Sequence, residues 1–135
     1  MIYLLDTNAF SDLMREQPGL RARVAGLSPA DRLIICTIVR GEIRYGISRL
    51  SDGRKKRDLE TKAEKLFAVI TCEPVPEAAG NHYAEMKLAR ERKGSGLDEN
   101  DLWIASTARA LSATLVSRDA DFRQLDGLSL QDWTT

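Results

Sequence analysis

Four carboxylates occupy positions that ordinary surface acids avoid. Asp6 comes directly after the apolar run IYLL (2–5), and Asp119 follows TLVS (114–117) in the same manner. Each alone can cap a helix or open a turn; together they read as two strands that deliver an acid to the same edge. Glu42 lies in TIVRGEIRYGISRL, beside the helical stripe of Val39, Ile43, Ile47 and Leu50. It can pair with Arg40 or Arg44, or line an interior. In LDENDLWIASTARAL the apolar line Ile104, Ala105, Ala108, Leu111, extended back one turn, lands on Asp101. Asp98 can cap that helix with Asp101 answering it, a carboxylate version of the capping box. Capping does not require an acid on the buried line.

Acids gathered without compensation repel, and desolvating each ion is costly. They take up protons or share a cation. A donor set of oxygens without Cys or His suits a hard ion, Mg²⁺ or Mn²⁺. Such ions bind phosphates and make water easier to deprotonate, and a second ion can steady a leaving oxygen. The reaction class that fits is phosphodiester hydrolysis.

The elements that must position these acids alternate. Strands are predicted at IYLL (2–5), LIIC (33–36), within TCEPV (71–75), at TLVS (114–117) and at LSL (128–130). Between them, helices are predicted from Asn8 to about Glu16, with Thr7 or Asn8 as cap, and after Pro18 to about Gly26. Others run from a Thr37 cap to about Leu50, across the charged stretch to about Val69, from Pro76 to Lys93, and from Asp98 to Ala110. DADFRQ reads as a helical turn, and the residues at 94–96 as a flexible connection. Short, continuously apolar strands alternating with helices imply a parallel sheet covered on both faces, an α/β three-layer sandwich. In such sheets ligands gather beyond the carboxyl ends of the strands, where Asp6 and Asp119 fall.

At 135 residues and 43% apolar content, the chain reads as one domain, 1–135, with room for a core. No apolar run approaches the ~18 residues of a membrane span, and the N-terminus lacks the segments of a signal peptide. A cytoplasmic location without membrane contact is expected. Cys36 and Cys72 read as buried thiols of a reduced compartment, a disulfide between them being the lesser alternative. With His82 they give no zinc-ligand spacing, and His82 is read onto a helix surface. Twenty basic residues balance twenty acidic ones, which argues against a sequence-reading DNA binder. The clusters Arg54–Arg57 and Arg90, Arg92, Lys93 read as solvated helix faces.

LLDTN, RGEIRYG, NDLWIASTA, TLVSRDADF and the closing LSLQDW resemble, in order and spacing, the motifs of the PIN-domain nucleases, and above all the VapC toxins of bacterial type II toxin–antitoxin pairs. The resemblance covers nearly the whole chain. It implies a metal-dependent endoribonuclease with a compact α/β/α fold, whose acids fall on Asp6, Glu42, Asp101 and Asp119. Thr7 or Asn8, and Ser117, resemble the family's supporting polar residues. DEND is unusually acidic, so Asp98 or Glu99 can replace or assist Asp101. The resemblance further implies a homodimer and a cognate VapB-type antitoxin, whose tail occupies the groove and whose DNA-binding half supplies any operator contact.

The resulting expectation is that the four acids hold one or two Mg²⁺ or Mn²⁺ ions. A metal-activated water then attacks single-stranded RNA in line, leaving 5′-phosphate and 3′-hydroxyl ends. Arg40, Arg44 or Arg118 are candidates to hold phosphates, and Trp103 and Trp133 to stack on bases. Three other readings compete. An aspartyl-nucleophile phosphatase also places Asp after its first strand, but Asn8 stands where its second acid belongs. The others are a PIN nuclease of RNA processing without an antitoxin, and a PIN domain that serves only as an interaction surface.

Overall fold

The computed structural model describes residues 1–94 and 96–135. Ser95, within the connection expected at 94–96, lies outside the described residues. Five strands form one sheet: β1 (Ile2–Leu5), β2 (Arg32–Cys36), β3 (Thr71–Glu73), β4 (Thr114–Val116) and β5 (Leu130–Gln131). Their order is β3-β2-β1-β4-β5 and every pairing is parallel. Leu4, Leu5, Ile34, Ile35, Leu115 and Val116 are buried to within 1%. At about 1.5–3 kcal/mol for each large aliphatic side chain, these central strands anchor the core.

The connections are α1 (Thr7–Met14) and α2 (Pro18–Ala25), α3 (Thr37–Ser48) and α4 (Arg54–Val69), then α5 (Ala79–Arg92) and α6 (Glu99–Ala110). A 3₁₀ helix, Ala120–Gln124, joins β4 to β5. Helices α1, α3 and α4 pack on one another, and α5 pairs with α6. The result is the expected α/β/α sandwich.

Helix starts depart from expectation in three places, each for a local reason. Asp6, not Thr7 or Asn8, is the N-cap of α1. Cys36, not Thr37, occupies that position for α3 and makes no side-chain cap bond, because β2 runs directly into the helix. Pro76 opens a turn closed by Ala79 N–H on its carbonyl at 2.9 Å, and α5 begins only at Ala79. Asp98 caps α6 as expected, accepting from Asn100 N–H at 3.1 Å.

The chain's final residues fold back over α2. Trp133 is 1% exposed and meets Tyr3 edge-on at 5.1 Å. A Cβ on Gly19 would stand 2.3 Å from the Trp133 carbonyl, so only glycine allows this approach. Phe10 of α1 stacks on Phe67 of α4 at 5.1 Å. Cys36 is buried, Cys72 is half-buried, and both are free thiols. No described helix is long and apolar enough to cross a membrane.

Candidate active site

The sheet order reverses direction at β1, which has β2 on one side and β4 on the other. Crevices beyond the strand ends at such a point accept ligands. The backbone N–H of Asp6 donates to Val116 O at 3.1 Å, locking the end of β1 to the end of β4. The Asp6 side chain caps α1 through Oδ1, which accepts from Ala9 N–H at 2.7 Å. Capping and membership of the cleft are therefore not alternatives: one oxygen serves the helix, and the carboxylate still faces the strand end. At 3% exposure its carboxyl is held above the usual range. Burial is the main cause and the Asp119 charge adds to it, against the Ser117 hydroxyl, the Ala9 N–H and the Arg118 charge.

Ser117 and Asp119 continue from β4. The buried Ser117 hydroxyl accepts from Asp119 N–H at 3.0 Å, and Asp119 caps the 3₁₀ helix by accepting from Asp121 N–H at 2.9 Å. From α3 comes Glu42, whose Oε1 accepts from the Thr7 hydroxyl at 2.6 Å. Asn100 at the start of α6 approaches its other oxygen, Nδ2 donating at 3.4 Å. Asp101 is half-buried, and its carboxyl is pushed up to about 7. Burial leads, followed by the charges of Asp98, Glu42, Asp6 and Asp119. The four expected acids thus share one electrostatic environment at the strand ends. Asn8, one residue beyond Thr7, is exposed and lines the adjoining groove between α1 and α3, which runs past Ile47 and Leu59 to Arg15 and Lys55.

Among the described residues, no three His, Cys, Asp or Glu side chains form a group tight enough to hold a metal ion as they stand. The donor chemistry nevertheless suits a hard cation. The set is all oxygen, and two of its carboxyls are raised because burial and like charge oppose ionisation.

Several neighbours are otherwise engaged. Glu99 turns to α5, where Lys87 Nζ donates to it at 2.7 Å and the Tyr83 hydroxyl bonds it as well. These bonds hold Glu99 below, and Lys87 above, their ordinary ranges. Asp98 keeps its capping role beside Asp101. The arginines expected at phosphates are not free. Arg118 Nε donates to Asp12 at 2.8 Å; Arg40 and Arg44 lie over Phe67 at 4.4 and 4.9 Å, and Arg44 pairs with Glu64 at 2.5 Å. Of the two tryptophans, Trp133 is buried and Trp103 has one face stacked on Tyr83 at 4.0 Å.

Two residues were not legible as contributors. Asn100 sits among three acids in DEND and carries no periodicity of its own. Arg90 belongs to a cluster read as solvated, yet is 3% exposed. It donates to Gln124 Oε1 at 2.7 Å and to Gly96 O at 3.0 Å, tying the 3₁₀ helix to the segment before α6. Its signal was its register, since it continues the buried line of Ala79 and Met86. His82, read onto a helix surface, is half-buried in α5.

The PIN domain family matches residues 3–128. The chain is 32% identical over 137 aligned positions to Ribonuclease VapC1 of Haemophilus influenzae strain R2866, covering 99% of each chain. It superimposes on the solved VapBC-1 structure from nontypeable Haemophilus influenzae with TM-score 0.89 at 31% identity, covering 100% of both chains. A second solved structure, VapBC2 from Rickettsia felis bound to a DNA fragment from their promoter, gives TM-score 0.89 at 29% identity over 98% of this chain and 99% of that one.

Proposed function

We propose that this chain, which belongs to the PIN-domain family, is the endoribonuclease toxin of a type II toxin–antitoxin pair, hydrolysing RNA phosphodiester bonds at the cleft of Asp6, Glu42, Asp101 and Asp119. The observation that supports this reading is that Asp6 and Asp119 follow the paired strands β1 and β4, while Glu42 of α3 and Asp101 of α6 lie near enough for their charges to act on one another. Full-length likeness to proteins named as VapC ribonucleases, and to toxin–antitoxin complexes, supports it.

Mg²⁺ or Mn²⁺, one ion or two, would be held by Asp6, Glu42, Asp101 and Asp119, and when bound supplies Lewis acidity toward the phosphate and lowers the pKa of water. The chain's own residues do the positioning. The Ala9 N–H and Ser117 orient Asp6; Thr7 and Asn100 hold Glu42; the Ser117 hydroxyl fixes the Asp119 backbone. No side chain is required as general base. Attack by water on the phosphorus, with the P–O3′ bond breaking and the 3′ oxygen leaving with a proton, would give 5′-phosphate and 3′-hydroxyl ends.

The groove running from Thr7 and Glu42 toward Lys55 offers an apolar floor with charge at both ends, which suits the tail of a VapB-type antitoxin. DNA contact is assigned to that partner, since this chain has zero net charge. A homodimer in the cytoplasm completes the reading. The test is Asp6→Asn, which keeps the shape and removes the charge. It abolishes divalent-dependent cleavage of single-stranded RNA while the circular dichroism spectrum is kept. Undiminished cleavage, or 2′,3′-cyclic phosphate ends, rejects the mechanism.

A further inference from the structure

Tyr45 is the aromatic ring most open to solvent beside the acid cleft, at 67% exposure. It stands on α3 one turn after Gly41 and three residues after Glu42. A cavity beside α3 is lined by Thr7, Glu42 and Asn100 and, along the helix, by Thr37, Ile38, Gly41 and Tyr45. It therefore contains the Thr7–Glu42–Asn100 group and opens directly from the candidate catalytic cleft.

Gly41 is the unexpected member. Glycine inside a helix is destabilising, and nothing in the fold asks for it here. Its backbone is helical, and no heavy atom lies within 4 Å of where a Cβ would be. No close packing is relieved by the missing side chain; what it leaves is a bare patch of helix beside an exposed aromatic face. The same holds at Gly46, next after Tyr45. Arg49 lies over one face of the Tyr45 ring, its guanidinium carbon 5.9 Å from the centroid, so a ligand has the opposite face to use.

We propose that Gly41 and Tyr45 form a nucleobase subsite for the RNA substrate, the base lying over Gly41 with its face against the Tyr45 ring and a flanking phosphate toward Arg49. This rests on the nuclease reading. A planar group is the occupant that uses both the bare floor and the open ring. Glu42 lines the same cavity, so that base would lie beside the acids. Stacking accepts any base, so the subsite sets affinity and not sequence choice.

The experiment uses the cleavage-silenced Asp6→Asn protein and a fluorescent single-stranded oligoribonucleotide. Tyr45→Ala weakens binding about tenfold, the scale of one lost stack, and Tyr45→Phe restores it. Gly41→Leu weakens binding while raising the thermal midpoint, two effects of opposite sign that a structural role does not produce. In the active protein, Tyr45→Ala raises KM and leaves kcat within about twofold. Unchanged RNA affinity in Tyr45→Ala overturns the subsite. So does a change in oligomeric state by light scattering without a change in affinity, which would make the patch a contact between copies. Failure of the nuclease reading is seen separately, as cleavage by Asp6→Asn equal to that of the unaltered protein.

Discussion

Thr7 and Glu42 are joined by a 2.6 Å hydrogen bond across 35 positions of sequence, the hydroxyl of α1 donating to the carboxylate of α3. It holds one oxygen of Glu42 toward the end of β1. Without it, a long half-exposed side chain would sample several rotamers. Removing such an orienting partner typically costs 10–100-fold in metal affinity or activity. Thr7→Val is thus expected to lower the divalent-dependent cleavage rate by about tenfold or more, with about 1 kcal/mol or less of stability lost in urea unfolding. Thr7→Ser, which keeps the donor, is expected to retain most of the activity.

The raised carboxyl of Asp101 makes stability depend on pH. Its value in the folded chain is about 7, against 3.8 for an ordinary Asp. Between those values the native state holds a proton that the unfolded state has released. The linkage slope is negative there, and stability from this group falls as pH rises from about 4 to about 7. Asp31, Glu99 and Asp132 are shifted downward and act in the opposite sense, but only at the acid end. Chemical denaturation in EDTA at pH 5 and pH 8 is expected to show the loss, and Asp101→Asn to flatten it. Added Mg²⁺ is expected to stabilise the unaltered protein more at pH 8 than at pH 5, and Asp101→Asn less at both.

Arg90 is a buried guanidinium with two neutral acceptors, and among the described residues its Nε has no partner. Hydrogen bonds from charged donors contribute about 1.5–3 kcal/mol each. Arg90→Met is expected to cost about 2–3 kcal/mol in urea unfolding, less than the sum because the charge no longer has to be buried. Because Gln124 ends the helix that Asp119 caps, activity at permissive temperature is expected to fall too, and Arg90→Lys to recover part of each.

Two glycines are expected to respond in opposite directions. At Gly19 a Cβ would meet the Trp133 carbonyl at 2.3 Å, and backbone cannot step aside cheaply. Gly19→Ala is expected to destabilise by about 1–3 kcal/mol, the usual cost of overpacking. At Gly41, where a Cβ meets nothing within 4 Å, Gly41→Ala is expected to stabilise by about 0.5–1 kcal/mol. Thermal unfolding of the pair checks both signs.

The alternation of short apolar runs with helices made the layered parallel fold legible, because the central strands β1, β2 and β4 are mostly apolar where they are buried. The four acids were legible as oddities: two after strands, two on lines that should have been apolar. What stayed hidden depends on tertiary placement. Cys36 precedes α3 because β2 ends there, which no capping preference could reveal. Arg90 and Arg92 look alike in sequence, and only the packing of α5 on α6 buries one and solvates the other. Asn100 contributes through a partner 58 residues away. The partners of the candidate phosphate-holding arginines were hidden for the same reason: Phe67, Glu64 and Asp12 lie near them only in the folded chain.

The bond from Asp6 N–H to the Val116 carbonyl has a consequence for the order of events during synthesis. The first acid emerges from the ribosome almost at once, but the strand that pins it comes more than a hundred residues later. A polypeptide released anywhere before β4 lacks both that support and Asp119. Premature termination before β4 therefore yields a fragment in which the end of β1 has no partner strand to hold Asp6 in place.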